Sequence, residues 1–79
     1  MEIQFFDKNI KQFIKDLEMS TSAKVFRTLE LLERFGHTIG MPYSKHLEGR
    51  LFELRVRSKQ EVRLIYTFHK GMAVILNGF

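Results

Sequence analysis

From Arg50 to Asn77 apolar and polar residues alternate along three runs, interrupted only around Lys59-Gln60 and at Lys70-Gly71. A period of two sustained over three consecutive runs is the pattern of half-buried β-strands, and it commits the last third of the chain to a sheet. The expected strands are Arg50–Ser58, Glu61–His69 and Met72–Asn77. Alternation puts Phe52, Leu54 and Val56 on one face of the first of them and Glu53, Arg55 and Arg57 on the other. In the next strand Leu64, Tyr66 and Phe68 face the core, with Arg63, Ile65 and Thr67 opposite. Opposed residues of an antiparallel pair share a face, so core must meet core. The expected register sets Val56 against Leu64 and Leu54 against Tyr66, which also brings Arg57 opposite Arg63 and Arg55 opposite Ile65. Like charges opposed across a sheet cost a few tenths of a kcal/mol or more. A bound anion would account for the arginine pair, and so would solvated side chains on an exposed face screened by salt.

The first half has a different period. Residues 2–6 form a short strand-like run, and Asp7 is placed to cap a helix on which Ile10, Phe13, Ile14 and Leu17 make one apolar face. A second helix is expected from a cap in Ser20-Thr21-Ser22 to Gly36, with Val25, Phe26, Leu29, Leu32 and Phe35 as its inner stripe. Periodicity stops between His37 and Ser44, where Gly40 and the only proline, Pro42, mark a loop, and Gly49 ends a short connector. The expected architecture is therefore α+β, in the order β-α-α-β-β-β, with two N-terminal helices packed on a mostly antiparallel twisted sheet.

Seventy-nine residues support one core, so residues 1–79 are expected to be a single domain. The chain has no cysteine, which excludes disulfide staples and thiolate metal sites and leaves apolar packing or a partner to hold it together. The start Met1-Glu2-Ile3-Gln4-Phe5-Phe6 lacks a signal-peptide pattern, and no apolar run approaches the ~20 residues of a membrane span. A cytoplasmic protein is expected. Net charge is +4, a balance that favours anionic partners, nucleic acid among them. The excess is localised: residues 1–33 carry five Lys/Arg against six Asp/Glu, a net of −1, and residues 34–79 carry eight against three, a net of +5.

Three segments of the strand-rich half carry a family pattern. Leu47-Glu48-Gly49-Arg50-Leu51-Phe52-Glu53-Leu54-Arg55, then Val62-Arg63-Leu64-Ile65-Tyr66, then Val74-Ile75-Leu76-Asn77-Gly78-Phe79 together resemble the RelE/ParE toxin superfamily, and within it the phage-derived HigB-like branch. The resemblance implies the RelE-like fold, whose element order agrees with the one expected from periodicity. It also implies a toxin of a toxin–antitoxin system: a ribosome-associated, metal-independent mRNA endonuclease (an mRNA interferase) that is neutralised by a cognate antitoxin, often a helix-turn-helix protein. In such chemistry a ribose 2′-OH attacks the adjacent phosphate while charged donors stabilise the phosphate and the 5′-oxygen leaves protonated. Arg63 stands at the family's central arginine and Arg55 matches a basic position on the neighbouring strand. Glu53 occupies the place of a lysine found in RelE itself, so no lysine carries over there. Relatives continue past the Gly-Phe at 78–79 with basic residues and, in many members, a C-terminal helix. The expectation is a domain lacking that extension, and with it a reduced catalytic apparatus.

Other candidates are weighed on chemistry alone. His37, His46 and His69 have no metal-ligand spacing, and neither a metal nor another cofactor is expected. His69 shares the strand parity of Arg63 and Thr67, and an imidazole there could exchange protons with the ribose or leaving group; an exposed strand-end histidine fits the same position. Arg57, Lys45, Arg50 and Lys59 are expected to give electrostatic footing on RNA phosphates. Tyr66, by its parity, is expected to pack. Two functional readings follow: an endoribonuclease toxin with Arg63, Arg55 and His69 at the catalytic site, and a catalytically incomplete module of the same fold that binds an antitoxin or RNA without cleaving.

Overall fold

The computed structural model describes residues 1–79. Strand β1 (Glu2–Phe5) leads into helix α1 (Lys8–Lys15) and helix α2 (Met19–Phe35), a 3-10 turn follows at Gly36–Thr38, and four strands complete the chain: β2 (Ser44–Glu48), β3 (Leu51–Arg57), β4 (Glu61–His69) and β5 (Met72–Gly78). They form one sheet in the order β1-β5-β4-β3-β2. Only the β1–β5 pair is parallel. The architecture is α+β, two helices on one face of a five-stranded, mostly antiparallel sheet, compatible with the RelE-like fold. No helix is long and apolar enough to cross a membrane.

Local chemistry sets the element ends. The Asp7 carboxylate accepts from the Asn9 N–H at 2.7 Å and caps α1. Glu18, rather than the expected serine/threonine cluster, caps α2: its carboxylate accepts from the backbone N–H of Ser20 and of Thr21, both at 3.1 Å. Gly36 stops α2 at φ +52, a conformation that costs a residue with a Cβ but not glycine. Lys70 and Gly71, both at positive φ, make the two-residue turn between His69 and Met72.

The core lies between the helices and the covered face of the sheet. Ile10 and Ile14 of α1 and Val25, Leu29 and Leu32 of α2 meet Leu54, Val56, Val62, Leu64, Tyr66, Ala73 and Ile75. The inner stripe of α2 differs from expectation at three positions: Thr21 and Thr28 are buried, while Phe35 is 49% exposed. Thr28 is tolerated there because its hydroxyl donates to the Lys24 carbonyl one turn earlier, at 2.9 Å. Tyr66 packs as expected, fully buried, and its hydroxyl shares a hydrogen bond with the Ser44 hydroxyl at 2.5 Å. Burial pushes the Tyr66 phenol above its ordinary value, and the bond to Ser44 opposes that shift.

Two further expectations are corrected. Ser44–Glu48 is a strand rather than part of a loop and connector. It is one edge of the sheet, buried only at Ser44, so its residues show no alternation of polarity; its pairing with β3 and not its own pattern makes it a strand. The β3–β4 register is displaced by two residues from the one expected, setting Arg55 opposite Arg63, Val56 opposite Val62 and Arg57 opposite Glu61. A shift of two keeps every side chain on its face. It places the hairpin loop at Ser58-Lys59-Gln60, sets Val56 against Val62 in the core, moves the arginine–arginine opposition from Arg57–Arg63 to Arg55–Arg63 and gives Arg57 a glutamate opposite.

Candidate nucleic-acid interface

The face of the sheet away from the helices carries the charged half of the alternation. Its centre is the Arg55–Arg63 pair, opposed on β3 and β4. Two carboxylates keep these cations from repelling each other. Glu53, only 7% exposed, lies 3.0 Å from the Arg55 guanidinium and 3.9 Å from that of Arg63. Glu61 lies 3.4 Å from Arg63 and 3.9 Å from Arg55. Positive and negative groups thus alternate around a small square. The Arg55, Arg63 and Glu61 side chains are 32%, 42% and 47% exposed. Ion pairs so exposed contribute only ~0–1 kcal/mol each, and their main effect is to orient the donors.

Aromatic residues extend this row on both sides. The Arg55 N–H donates to the Tyr43 carbonyl at 3.0 Å, and Arg63 and Phe79 exchange both backbone bonds, at 2.8 and 3.0 Å. Tyr43, Arg55, Arg63 and Phe79 therefore cross the sheet in line, the tyrosine 44% and the phenylalanine 57% exposed. Beside the row, where β2 has not yet begun to pair, a cleft of about 490 Å³ opens between the edge of β3 and α2. Its lining includes Lys24, Lys45, Arg55 and Arg57 against the single carboxylate of Glu53.

The expected site residues separate into two groups. Arg55, Arg63, Arg57 and Lys45 come together: Arg57 lines the cleft two residues beyond Arg55, and Lys45 lines it from β2, opposite Glu53. The remaining three lie apart from this cluster. His69 ends β4 six residues beyond Arg63, roughly 20 Å away at the rise of a strand. Arg50 is in the β2–β3 turn and exposed, five residues from Arg55 and about 16 Å along the strand. Lys59 sits in the β3–β4 loop, 4.0 Å from the Glu18 carboxylate. The other histidines are on the covered side: His37 stacks on Phe68 with ring centroids 3.9 Å apart, and His46 meets Phe52 edge-on at 5.2 Å while its Nε2 lies 2.9 Å from the Gly49 carbonyl. No group of three or more His, Asp or Glu side chains could hold a metal ion.

Four contributors were not singled out from sequence. Glu53 and Glu61 follow from the true register, which puts each carboxylate diagonal to an arginine. Lys24 lies on the polar side of α2 and carries no local signal at all. Tyr43 follows the proline of an apparent loop, and only its alignment with Arg55 across the sheet marks it.

Comparison with known proteins identifies the chain at the level of family. No curated protein matches the chain. Residues 12–79 match the family described as Phage derived protein Gp49-like (DUF891), a RelE-toxin-like family, and the match spans α2, all of β2–β5 and the second half of α1. A sheet carrying an arginine pair on its open face, under two helices and within a match of that extent, belongs to a member of the phage-derived Gp49-like family.

Proposed function

We propose that this protein is the toxin of a toxin–antitoxin pair, of the HigB-like branch, and that it cuts mRNA on the ribosome without a metal, using the open face of its sheet. The observation that carries this reading is the Arg55–Arg63 pair, held side by side by Glu53 and Glu61 and left accessible to solvent. Guanidinium forks match phosphate oxygens and keep their charge at every physiological pH. A phosphodiester laid across the pair would have its developing negative charge met by two cations. The 2′-oxygen would form its bond to phosphorus as the bond to the 5′-oxygen breaks. Arg57 and Lys45 would hold flanking phosphates, with Arg50 and Lys59 as more distant footing. His69, assigned to proton transfer from its parity alone, is too far along β4 to serve a phosphate bound at Arg63. The partners of this function are a cognate antitoxin, the ribosome and mRNA in the cytoplasm.

A second reading, a module that binds RNA or an antitoxin without cleaving, is favoured by the same carboxylates. Glu53 and Glu61 already occupy both arginines, and a phosphate must displace or share them. Inducible expression in bacteria of the chain and of Arg63→Ala separates the two readings. Growth arrest with cuts in translated mRNA, both lost in the variant, is the expected result. A folded, soluble wild-type product that neither arrests growth nor cuts mRNA selects the binding module.

A further inference from the structure

The cleft between α2 and β3 contains cations of a different status from those on the open face. Arg55 and Arg63 are each paired with carboxylates, whereas Lys24, Lys45 and Arg57 have no acidic partner within 4.0 Å. The Lys24 ammonium donates to the backbone carbonyl of Arg57, which fixes its position without cancelling its charge. The one carboxylate in the lining, Glu53, is bound to Arg55. The Arg55 N–H points from β3 toward Tyr43; by the alternation of an antiparallel ladder the Arg57 N–H points the same way, beyond the start of β2, and adds a backbone donor. Tyr43, with Met41 and Pro42 beside it, gives the cleft an aromatic wall next to these donors. A volume of about 490 Å³ lies within the range of small-ligand sites.

We propose that this cleft is a second ribonucleotide subsite, which takes the phosphate next to the one on the Arg55–Arg63 pair onto Lys24 and Arg57 and stacks its base on Tyr43. The geometry selects RNA over an isolated anion for two reasons. Arg55 belongs both to the open-face pair and to the cleft lining, so one strand can run from one to the other without leaving protein. Arg55 and Arg57, two residues apart on β3, are separated by ~7 Å, the scale of the step between neighbouring phosphates of an extended single strand. Stacking on an aromatic ring is tolerant of base identity, so this subsite contributes affinity and direction of entry rather than sequence preference. The inference rests on the proposed RNA function but makes a separable demand on it.

The test uses the full chain and a single-stranded hexaribonucleotide, followed by amide NMR shifts and by affinity as a function of salt. The RNA should shift Thr28, Tyr43 and Arg57 together with Arg55 and Arg63. Tyr43→Leu should weaken binding roughly 5- to 100-fold while Tyr43→Phe retains it, and Lys24→Gln should lower the slope of log affinity against log salt by about 0.7. Both side chains are exposed, and an unchanged thermal midpoint serves as the folding control. Shifts confined to the open face, or equal affinity in Tyr43→Leu, would overturn the subsite. A hexaglutamate peptide that displaces the RNA and gives the same Tyr43 dependence would also overturn it, by making the cleft an acidic-peptide site. Arg63→Ala distinguishes the two proposals: loss of cleavage with cleft shifts intact leaves the subsite standing, and intact cleavage in that variant sinks the active-face reading alone.

Discussion

The two faces of the sheet are made from the same strands and obey opposite rules. On the covered face, Leu54, Leu64, Tyr66 and Ile75 are fully buried, and the polar hydroxyls of Tyr66 and Ser44 satisfy each other. On the open face, two arginines are opposed at a position where a purely structural sheet would prefer opposite charges. The covered face is organised to exclude water. The open face holds charge together at the cost of local repulsion, and offsets that cost with two carboxylates that bind the donors without covering them. A period of two lets both programmes run along β3 and β4 at once, so stability and recognition should be separable by residue parity.

The sharpest way to break this comparison is to remove volume from the covered face. Leu54→Ala and Leu64→Ala, at fully buried positions, should each cost about 2–5 kcal/mol of folding stability by urea denaturation. The open-face substitution Arg57→Ala should change it by less than about 0.5 kcal/mol. Comparable losses from both would show that the faces are not independent. Next in size is the buried hydroxyl pair. Tyr66→Phe strands the Ser44 hydroxyl and should cost roughly 1–3 kcal/mol, with the Ser44→Ala/Tyr66→Phe double variant losing clearly less than the sum of the singles. Additive losses would mean that the bond contributes nothing beyond its parts.

The carboxylates sharpen the comparison from the other side. Glu61 is exposed and paired with Arg63, so under the proposed RNA function it would compete with a phosphate there, and Glu61→Gln should tighten single-stranded RNA binding about two- to five-fold with little change in stability. Weaker binding would make Glu61 a positioning group instead of a competitor. The smallest effect is expected at the joint between the layers. There Glu18 caps α2, and its own N–H donates to the Gln60 side chain of the β3–β4 loop at 2.9 Å. Hydrogen bonds from the Ser20 side chain and backbone, and from Thr21, hold the Glu18 carboxyl down from 4.5 to about 2. The folded state then binds fewer protons than the unfolded state between these values, so the contribution is complete above pH ~4.5 and disappears as pH falls toward 2. Wild type should lose stability across that window more steeply than Glu18→Gln, and parallel curves would remove Glu18 from the account.

These contrasts also explain which features could be anticipated from sequence. The covered face was readable because burial imposes alternation on β3 and β4 and a stripe on α1. The family pattern lies on the same segments and points to the same α+β order. Strand β2 was hidden because an edge strand exposed on four of its five residues carries no polarity code. The β3–β4 register was ambiguous because a two-residue slip preserves both faces, and only the position of the loop and the Val56–Val62 pairing distinguish the alternatives. That ambiguity concealed the site's chemistry. In the expected register Arg55 faced Ile65, and neither the four-membered charge square nor the role of Glu61 could be foreseen. Lys24 and Tyr43 enter through tertiary placement alone, one from a helix's polar side and one from the margin of a loop.

The most direct test of the central claim, that the Arg55–Arg63 pair binds RNA while the covered face holds the fold, is to measure single-stranded RNA affinity and urea midpoint on the same Arg63→Ala protein. Loss of one charge-assisted phosphate contact predicts an affinity about 10- to 100-fold weaker, with the midpoint nearly unchanged. An affinity equal to wild type, or a fall in affinity fully explained by loss of the folded state, would contradict it.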